Sequence, residues 1–333
     1  MNWKVKAAIQ NAVSLLPSEA SYDVYYWIQR RFGALRRVNP SSRLLAGIET
    51  WKRIQRQGSS PSGKVFLEVG TGPTPLVPLA YWLMGAERII TIDVNPYLKE
   101  ELIAEHLHYI SQHEEEVLTL FGSLIDRKRF NDMLNLARKS QLSASDFLDF
   151  CRITYLAPGD AAKTTLPDQH VDFHTSFTVF EHIPPDALNA ILKEGNRITK
   201  STGLFVHRID YTDHFSHSDK NISAINFLRY SDDEWARYAG NKYMYMNRLR
   251  HDDFLDLFKR AGQVIVDVEP YIDQRSEELL NIGMFHVDKQ FSSKSRASLA
   301  ISGAWILAEK SNVQCVAPDG YSSVTSSRKM TGP

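Results

Sequence analysis

A run of histidine and aspartate residues, HRIDYTDHFSH, concentrates groups that can accept or donate protons. It contains His207, Asp210, Asp213, His214 and His217. An imidazole oriented by a carboxylate can serve as a general base, and His214 with Asp210 is the first candidate pair. Asp210, Asp213 and a histidine would also suit Mg²⁺ or a transition metal. A third interpretation, hydrogen bonding that only shapes the loop, stays open beside these two.

A second group of candidate residues lies in the aromatic segment 221–250. Flat rings can pack on the face of a sugar, and arginines bind phosphate or carboxylate groups. The segment therefore predicts a small-molecule or saccharide acceptor, with these candidate contacts: Arg229, Tyr230, Trp235, Asn247, Arg248 and Arg250. The alternative is a lid whose aromatic residues pack on the sheet. Nucleic acid is not expected, because no basic stripe accompanies the rings and the formal net charge is zero.

A glycine turn at residues 70–72 predicts a nucleotide-type ligand. An apolar run ending in Glu68 and Val69 indicates a buried strand, and Gly70-Thr71-Gly72 follows it. Thr74 and Pro75 are then expected to begin a helix, with Thr74 as the N-cap. This strand–turn–helix order is typical of the first crossover of a nucleotide-binding α/β sheet.

The chemistry around this turn argues against a phosphate ligand. Pro73 and Pro75 remove backbone N–H donors that a phosphate would need. The sequence also lacks the Lys-Ser/Thr of a P-loop and the third glycine of the dinucleotide fingerprint. The carboxylate of Glu68 would repel phosphate and attract an ammonium or sulfonium group. S-adenosylmethionine, a cationic nucleoside without phosphate, has these properties.

Two aspartates after later strands fit the same ligand. Asp93 follows the second predicted strand and is placed to accept the ribose hydroxyls; the alternative is a helix cap at Asn95-Pro96. Asp160, in PGDA after the third strand, is a candidate for the adenine amino group. Its alternative role is that of a turn residue after Gly159.

These residues need a parallel sheet to bring them to one edge. The pattern predicts an α/β, Rossmann-like fold with strands at 64–69, 88–92, 153–156, 171–175, 203–209, 263–268 and 301–308, the last one antiparallel. Helices are predicted at 3–16, 18–32, 42–57, 186–199 and 252–261. We expect an N-terminal helical extension over 1–60, a catalytic domain over 61–310 and a disordered tail over 311–333. Insertions are expected at about 97–151, with three helices, and at about 211–250.

Charge and composition limit the class of protein. Two cysteines, far apart in the sequence, and the lack of a long apolar run predict a cytoplasmic protein without a transmembrane segment. Five arginines lie between the first and third helices: Arg30, Arg31, Arg36, Arg37 and Arg43. They are interpreted either as a solvated rim over the helices or as a weak membrane-surface contact.

The motifs EVGTGPTP, IDVNP, PGDA, VDFHTSFTVFEHIP and GLFVHRID, in this order, resemble those of the class I S-adenosylmethionine-dependent methyltransferases. The resemblance extends roughly from Lys64 to Lys310. It implies a seven-stranded sheet with the cofactor over the strand ends and EHIP as a segment that many members share. Thr74 stands where the family often has a third glycine.

The resemblance also implies a set of cofactor-binding residues. Glu68, Gly70, Thr71 and Gly72 would surround the methionine part, and Asp93 would bind the ribose. Asp160 and Ala161 would lie near adenine, and Ser176 and Phe177 complete the predicted set. His182 is a further catalytic candidate, for which a structural or cofactor-pocket role is the favoured interpretation.

The sequence predicts O-methylation of the acceptor, and two rival functions remain. An NAD-dependent oxidoreductase would also use Asp93, although the prolines and the missing third glycine argue against it. A cofactor-binding scaffold without turnover is the rival outside enzymes. Metal was not predicted as a requirement.

Overall fold

The computed structural model describes residues 1–138 and 142–311 of the 333-residue chain. Seven strands form a single sheet: β1 (Val65–Val69), β2 (Arg88–Ile92), β3 (Ile153–Leu156), β4 (Val171–Phe177), β5 (Thr199–Asp210), β6 (Gln263–Ile272) and β7 (Ile301–Lys310). Their order in the sheet is β3-β2-β1-β4-β5-β7-β6. β7 pairs antiparallel with β5 and β6, whereas the pairs from β3 to β5 are parallel. The predicted α/β fold and its antiparallel last strand are confirmed.

The α-helices of the described residues are α1 (Trp3–Ser14), α2 (Ser18–Phe32), α3 (Ser41–Arg56), α4 (Leu76–Leu83), α5 (Glu100–Gln112), α6 (Glu114–Phe121), α7 (Arg127–Ala137), α8 (Ala144–Phe150), α9 (Pro185–Ile198), α10 (Asp232–Ala239), α11 (His251–Arg260), α12 (Gln274–Asn281) and α13 (Arg296–Ala300). None of these helices combines the length and the hydrophobicity that crossing a membrane requires. The first insertion contains four α-helices, α5 to α8, where the sequence predicted three.

Helices cover both faces of the sheet. On one face, α3, α4 and the helices of the first insertion pack on Phe66, Ile89 and Phe173. On the other face, α9 and α11 pack on residues such as Leu67 and Phe205. Because the central strands are buried on both sides, β1 and β2 are mostly apolar, as is usual for parallel sheets, whereas β4 also buries His174, Thr175 and Ser176.

Helix α4 starts one residue later than the sequence predicted. It begins at Leu76, and Pro75 occupies the capping position without a side-chain hydrogen bond. Thr74 is therefore not the N-cap. The predicted end of the helix is confirmed, since Gly85 follows it with φ of 101°, a left-handed conformation that favours glycine.

The N-terminal helices are part of the packed structure and not a loose extension. Gly47 in α3 approaches α4 so closely that an added Cβ would lie 2.6 Å from the Cβ of Ala80. Trp3 of α1 is buried in a third core together with Phe215, Phe227 and Trp235. The predicted tail, apart from Ser311, lies outside the described residues.

Candidate cofactor and catalytic site

The carboxyl ends of β1 and β2 bring Glu68 and Asp93 to the glycine turn. The carboxylate of Asp93 accepts hydrogen bonds from the backbone N–H groups of Thr71 (3.1 Å) and Gly72 (3.0 Å). The hydroxyl of Tyr155 lies 3.4 Å from the same carboxylate. Asp93 thus fixes the turn, and its remaining lone pairs can accept further hydrogen bonds, such as those of ribose hydroxyls.

The two glycines of the turn have different surroundings. Both have a positive φ, 85° at Gly70 and 72° at Gly72, a conformation that side chains other than glycine rarely adopt. A Cβ at Gly70 would lie 2.5 Å from a methyl group of Val179, whereas one at Gly72 would meet nothing within 4 Å. Gly70 is therefore needed for packing, and Gly72 faces open space where a ligand can approach the backbone.

Two buried carboxyl groups meet beside this turn. Burial raises the pKa of Glu68 well above its usual value, and the nearby charge of Asp93 adds to this shift. Burial likewise raises the pKa of Asp93 to about 7, against the lowering effect of the Gly72 and Thr71 amides. A ligand with a positive charge would relieve the repulsion between these groups.

Arg43 of α3 lines the same recess. Its side chain is exposed to solvent, and its guanidinium lies 5.7 Å from the ring centre of Phe177. Desolvation lowers the pKa of Arg43, while Glu68 and Glu181 raise it. Arg43 is therefore a cation between two acidic groups at the site, not part of a basic rim on the N-terminal helices. The sequence analysis grouped Arg43 with four other arginines as a solvated rim or a membrane-surface contact, because its place at the site depends on how α3 packs on the sheet.

The predicted adenine-side residues lie after β3. The carboxylate of Asp160 accepts a hydrogen bond from the N–H of Ala162 at 2.8 Å, which is a turn interaction, and the residue is exposed. Ala161 is buried and packs in the core of the second face. Asp160 therefore has the turn geometry that the sequence analysis gave as its alternative role. Its second carboxylate oxygen accepts no hydrogen bond from the described residues and can bind a ligand.

The interior histidine His207 does not reach the cleft. It is fully buried, its Nδ1 lies 2.7 Å from the hydroxyl of Ser176, and its ring stacks on Phe180. The predictions of a catalytic His207 and of a cofactor-binding side chain at Ser176 are corrected, because each side chain is committed to the other inside the sheet. Phe177 is only half-buried and lies beneath Arg43.

Imidazoles and carboxylates do meet beyond β4 and β5. The Nε2 of His214 lies 3.5 Å from a carboxylate oxygen of Asp210, and that of His217 lies 3.9 Å from it. The rings of His182 and His214 have centroids 4.9 Å apart. The sequence predicted the His214–Asp210 pair, but not its contact with Glu181 and His182. We name Glu181, His182, Asp210, His214 and His217 the histidine–carboxylate cluster.

The two carboxyl groups of the cluster have pKa shifts of opposite direction. Burial raises the pKa of Asp210, but His214 and the Thr212 donors outweigh it and bring that pKa down to about 2. Burial and the charge of Asp210 raise the pKa of Glu181 well above its usual value, and Arg208 counteracts this only in part. The site therefore holds one carboxylate that stays ionised and one that resists ionisation.

Asp213 does not belong to the cluster. Its carboxylate accepts hydrogen bonds from the N–H of Phe215 (2.8 Å) and the side chain of Asn226 (3.0 Å). The residue is fully buried. The sequence analysis offered Asp210, Asp213 and a histidine as possible metal ligands. Asp213 is removed from this set, because its carboxylate is used in shaping the loop.

Most of the predicted acceptor contacts prove to be structural. Arg250 is fully buried and donates to the carbonyls of Tyr211, Leu299 and Ile301. Arg248 donates to the carbonyls of Phe227 and Tyr230 and pairs with Asp232.

Asn247 and Trp235 are committed in the same way. The amide of Asn247 donates to the carbonyls of Phe180 and Ile183. Trp235 packs in the third core. These four predictions are corrected. The segment forms a lid, as the alternative interpretation had it, but its aromatic residues pack against α1 and the loop after β5 rather than on the sheet.

The two remaining acceptor candidates lie at the edge of this lid. Tyr230 packs edge-on against Trp3 and Tyr238. Arg229 is exposed, with its guanidinium 5.1 Å from the ring centre of Phe285. Neither has a contact that ties it to the cluster or to the glycine turn.

A group of tyrosines near Asp93 was missed by the sequence analysis. Tyr22 of α2 contacts Tyr97 and Tyr243 edge-on, and the ring of Tyr25 stacks on that of Tyr243 at 3.9 Å. Lys242 lies above Tyr22 at 4.7 Å. The spacing of the tyrosines on α2 was visible in the sequence, but their partners come from two distant segments.

The observed arrangement suits S-adenosylmethionine. Gly72 leaves the backbone open to a ligand, and Glu68 and Asp93 place two carboxyl groups beside it, whose ionised forms a cationic ligand would stabilise. Pro73 and Pro75 remove donors that a phosphate would require. A cationic nucleoside without phosphate satisfies these conditions, and a dinucleotide does not.

Comparisons with known proteins agree with this assignment. The family model described as "Methyltransferase domain" matches residues 128–207. No curated protein is significantly similar to the chain.

Among solved structures, the chain is similar to the [4+2]-cyclase SpnF, at 15% identity over 80% of this chain and 82% of that one, with a TM-score of 0.43. It is also similar to a SAM-dependent methyltransferase from Methanosarcina mazei, at 13% identity over 78% and 97%, with a TM-score of 0.41. A third similar structure is the PH0226 protein from Pyrococcus horikoshii, at 14% identity over 80% and 90%, with a TM-score of 0.41.

The resemblance rests on three observations within this chain: the ordered motifs, the seven-stranded sheet with its reversed last strand, and the methyltransferase-domain match at residues 128–207, inside the predicted catalytic domain. These observations support S-adenosylmethionine as the cofactor. The chain is similar to the class I S-adenosylmethionine-dependent methyltransferases in its fold and, over residues 128–207, in its sequence.

Proposed function

We propose that the protein methylates an oxygen atom of a small-molecule acceptor, with sugar hydroxyls as the favoured class. The observation that carries this proposal is the position of the histidine–carboxylate cluster. It lies at the ends of β4 and β5, and Arg43 connects it electrostatically to Glu68 of the glycine turn. Groups able to handle a proton thus lie beside the cofactor-binding residues.

When bound, S-adenosylmethionine supplies an electrophilic methyl group for in-line displacement, so catalysis depends mainly on positioning the acceptor. Glu68 offers a carboxylate to the ammonium group, and Asp93 offers acceptor oxygens to the ribose hydroxyls. Gly72 allows close approach to the backbone. Asp160 and Ala161 are proposed to flank the adenine.

Oxygen is favoured over nitrogen because of the proton that an oxygen acceptor must lose. A hydroxyl is a poor nucleophile until this proton leaves, whereas a neutral amine has a free lone pair. The cluster supplies two carboxylates and three imidazoles at the place where this proton must be managed. An amine acceptor would make no use of so many groups.

A single residue of the segment 221–250, Tyr245, supports a sugar acceptor. Arg248 and Arg250 of this segment are committed to packing and do not support this class. The exposed ring of Tyr245 lies next to the cluster, because the carbonyl of Tyr245 is 2.9 Å from Nδ1 of His182. An aromatic surface of this kind can pack on the apolar face of a sugar ring.

Titration calorimetry tests the cofactor and the main rival together. We expect S-adenosylhomocysteine to bind, and NAD⁺ and NADH not to bind. The Asp93→Ala variant should lose S-adenosylhomocysteine binding, whereas Asp168→Ala, an exposed aspartate far along the chain, serves as the matched control. Tight NAD(H) binding without S-adenosylhomocysteine binding would support the oxidoreductase instead.

Transfer itself needs a separate measurement. Protein with radiolabelled S-adenosylmethionine should label a small-molecule fraction of a cell extract, with a product stable to base as expected for a methyl ether. Labelled amines would contradict the oxygen assignment. Cofactor binding with no labelling across many extracts would favour the scaffold without turnover.

We also propose a weak contact with an anionic membrane surface through α2 and the segment after it. Trp27 and Phe32 are exposed and touch edge-on, and Arg31, Arg36 and Arg37 are exposed beside them. Aromatic rings flanked by arginines suit the headgroup region of a bilayer. Arg30 is not part of this surface, because it pairs with Glu105.

Vesicle flotation tests this contact. The protein should float with phosphatidylglycerol vesicles at low salt and not with phosphatidylcholine vesicles, and Trp27→Ala should reduce the floated fraction severalfold. Val264→Ala, an exposed apolar residue on β6, is the control. Equal flotation of Trp27→Ala and the parent protein would rule the surface out. A cytoplasmic location remains a prediction from the low cysteine content.

A further inference from the structure

The carboxylate of Glu181 is buried and accepts no hydrogen bond from residues 1–138 or 142–311. The residue is 2% exposed, and within these described residues both carboxylate oxygens lack a partner. The backbone amides of Glu181 and Asp210 lower its pKa slightly, but neither reaches hydrogen-bond geometry. A buried carboxylate in this state is costly unless something compensates for it.

The surroundings of Glu181 contain the atoms that a metal ion would use. Glu181, His182 and His214 each offer one ligand atom, and these atoms lie within 4.8 Å of one another. Two ligands of one ion lie at most about 4.2 Å apart when each bond is about 2.1 Å. The set is therefore within about 0.6 Å of a coordinating arrangement.

The hydrogen bond of His182 leaves the correct nitrogen for a metal. Its Nδ1 lies 2.9 Å from the carbonyl of Tyr245. A carbonyl can only accept, so Nδ1 carries the proton and Nε2 keeps its lone pair. Metal-binding histidines commonly show this pattern, in which a backbone carbonyl fixes the ring through its other nitrogen.

Asp210 also contacts His214, but it belongs to a second group of possible ligands. Its carboxylate oxygen lies 3.5 Å from Nε2 of His214. Asp210, His214 and His217 form a second group of three ligand atoms within 4.8 Å of one another. However, Nε2 of His217 is already 2.8 Å from the hydroxyl of Thr212, and its ring is exposed. His217 is therefore the weakest candidate of the five.

We propose that Glu181, His182 and His214 bind one divalent transition-metal ion, such as Zn²⁺ or Mn²⁺. Two imidazoles with a carboxylate suit such ions, whereas Mg²⁺ prefers a site made of oxygen atoms. The ion would supply the charge that the buried Glu181 carboxylate lacks. Arg208 and Arg43 act on Glu181 only at a distance, because neither donates a hydrogen bond to it.

The metal gives His214 a role different from the predicted one. As a ligand, His214 positions the ion and does not accept the acceptor's proton. An ion held there would bind the acceptor hydroxyl and lower its pKa, so that the proton could pass to solvent as the oxygen–methyl bond forms and the sulfur–methyl bond breaks. This role rests on the proposed O-methylation, but the binding of the ion does not.

Metal binding can be measured without knowing the acceptor. Untagged protein is treated with EDTA, dialysed and titrated with ZnCl₂, and then with MnCl₂, by calorimetry. We expect one ion per chain with a dissociation constant in the micromolar range or below. His182→Ala and Glu181→Gln should each weaken Zn²⁺ binding at least tenfold. His108→Ala, which removes an exposed histidine of α5, should leave it unchanged.

The variants also separate a loss of binding from a loss of folding. Glu181→Gln changes a buried residue and can unfold the protein, whereas His182 is exposed, so His182→Ala is the decisive variant. S-adenosylhomocysteine titrations should give the same affinity, within about twofold, for the parent protein and for His182→Ala. This readout separates failure of the metal site from failure of the cofactor site.

Two results would overturn the proposal. The first is an unchanged Zn²⁺ affinity in His182→Ala, or no binding of either ion to folded protein. The second is a loss of affinity in His217→Ala that exceeds the loss in His182→Ala, because this would place the ion in the other set of ligands.

Discussion

The carboxylate of Asp93 accepts a hydrogen bond from the backbone N–H of Gly72 at 3.0 Å. The end of β2 thereby holds the turn that follows β1. A single side chain connects the two parts of the cofactor site that were predicted separately from the sequence. Because it is buried, this carboxylate also makes stability depend on pH.

The stability of the folded protein should fall as the pH rises towards neutrality. The pKa of Asp93 is raised from 3.8 in the unfolded chain to about 7 in the folded protein. The folded state therefore binds the proton more tightly, and the free energy of unfolding decreases between about pH 4 and pH 7. The contribution of Asp93 is at most about 4 kcal/mol.

Urea denaturation of the parent protein and of Asp93→Asn, at several pH values, measures this contribution. The variant should show a smaller decrease over the same range, although the buried Glu68 leaves it some pH dependence. Identical slopes in the two proteins would show that Asp93 is not protonated near neutral pH.

The two glycines of the turn should respond differently to substitution by alanine. Gly70→Ala combines a strained φ with a contact of 2.5 Å to Val179, so we expect a loss of roughly 2–4 kcal/mol in the free energy of unfolding. Gly72→Ala meets no neighbour and should cost about 1 kcal/mol from φ alone. Its main effect should be weaker binding of S-adenosylhomocysteine.

Thermal unfolding and calorimetry separate the two effects. Gly70→Ala should lower the melting temperature more than Gly72→Ala does. Gly72→Ala should weaken S-adenosylhomocysteine binding more than its small loss of stability explains. If Gly72→Ala bound S-adenosylhomocysteine as tightly as the parent protein, the open side of this glycine would not face the cofactor.

Arg43 should contribute to cofactor binding. Its guanidinium lies over Phe177 and is coupled to Glu68, so it is placed to contact the carboxylate of the cofactor's methionine part. We expect Arg43→Ala to weaken S-adenosylhomocysteine binding about tenfold, or about 1.4 kcal/mol. Arg31→Ala removes an exposed arginine of α2 and is the matched control. Equal affinities for both variants would limit Arg43 to packing on Phe177.

Arg250 and Arg229 should differ in what they affect. Arg250 is fully buried and donates to three backbone carbonyls. Because Arg250→Ala leaves these carbonyls without a partner, it should lower the free energy of unfolding by about 3 kcal/mol or more. Arg229→Ala, at an exposed site, should change stability by less than about 0.5 kcal/mol. Chemical denaturation measures the free energy of unfolding of both variants. If Arg250→Ala changed it by less than about 0.5 kcal/mol, Arg250 would again be a candidate for acceptor binding.

The sequence by itself determined the sheet and the place of the cofactor. The first two strands are short, mostly apolar runs, and parallel pairing brings the carboxyl ends of β1, β2, β4 and β5 to one edge. For this reason Glu68, Gly70, Gly72 and Asp93 could be placed from local patterns. The prolines excluded phosphate for a reason that is equally local, the loss of backbone N–H donors.

Only the tertiary structure decided which polar side chains face the cleft. Composition suggested an acceptor site for Arg248 and Arg250, but both arginines satisfy buried carbonyls, because the lid folds back on α1 and the loop after β5. Conversely, Arg43 and Glu181 reach the site from segments 138 residues apart in the sequence. Whether a polar residue binds a ligand or its own backbone depends on which distant groups pack around it, and local patterns carry no information about these partners.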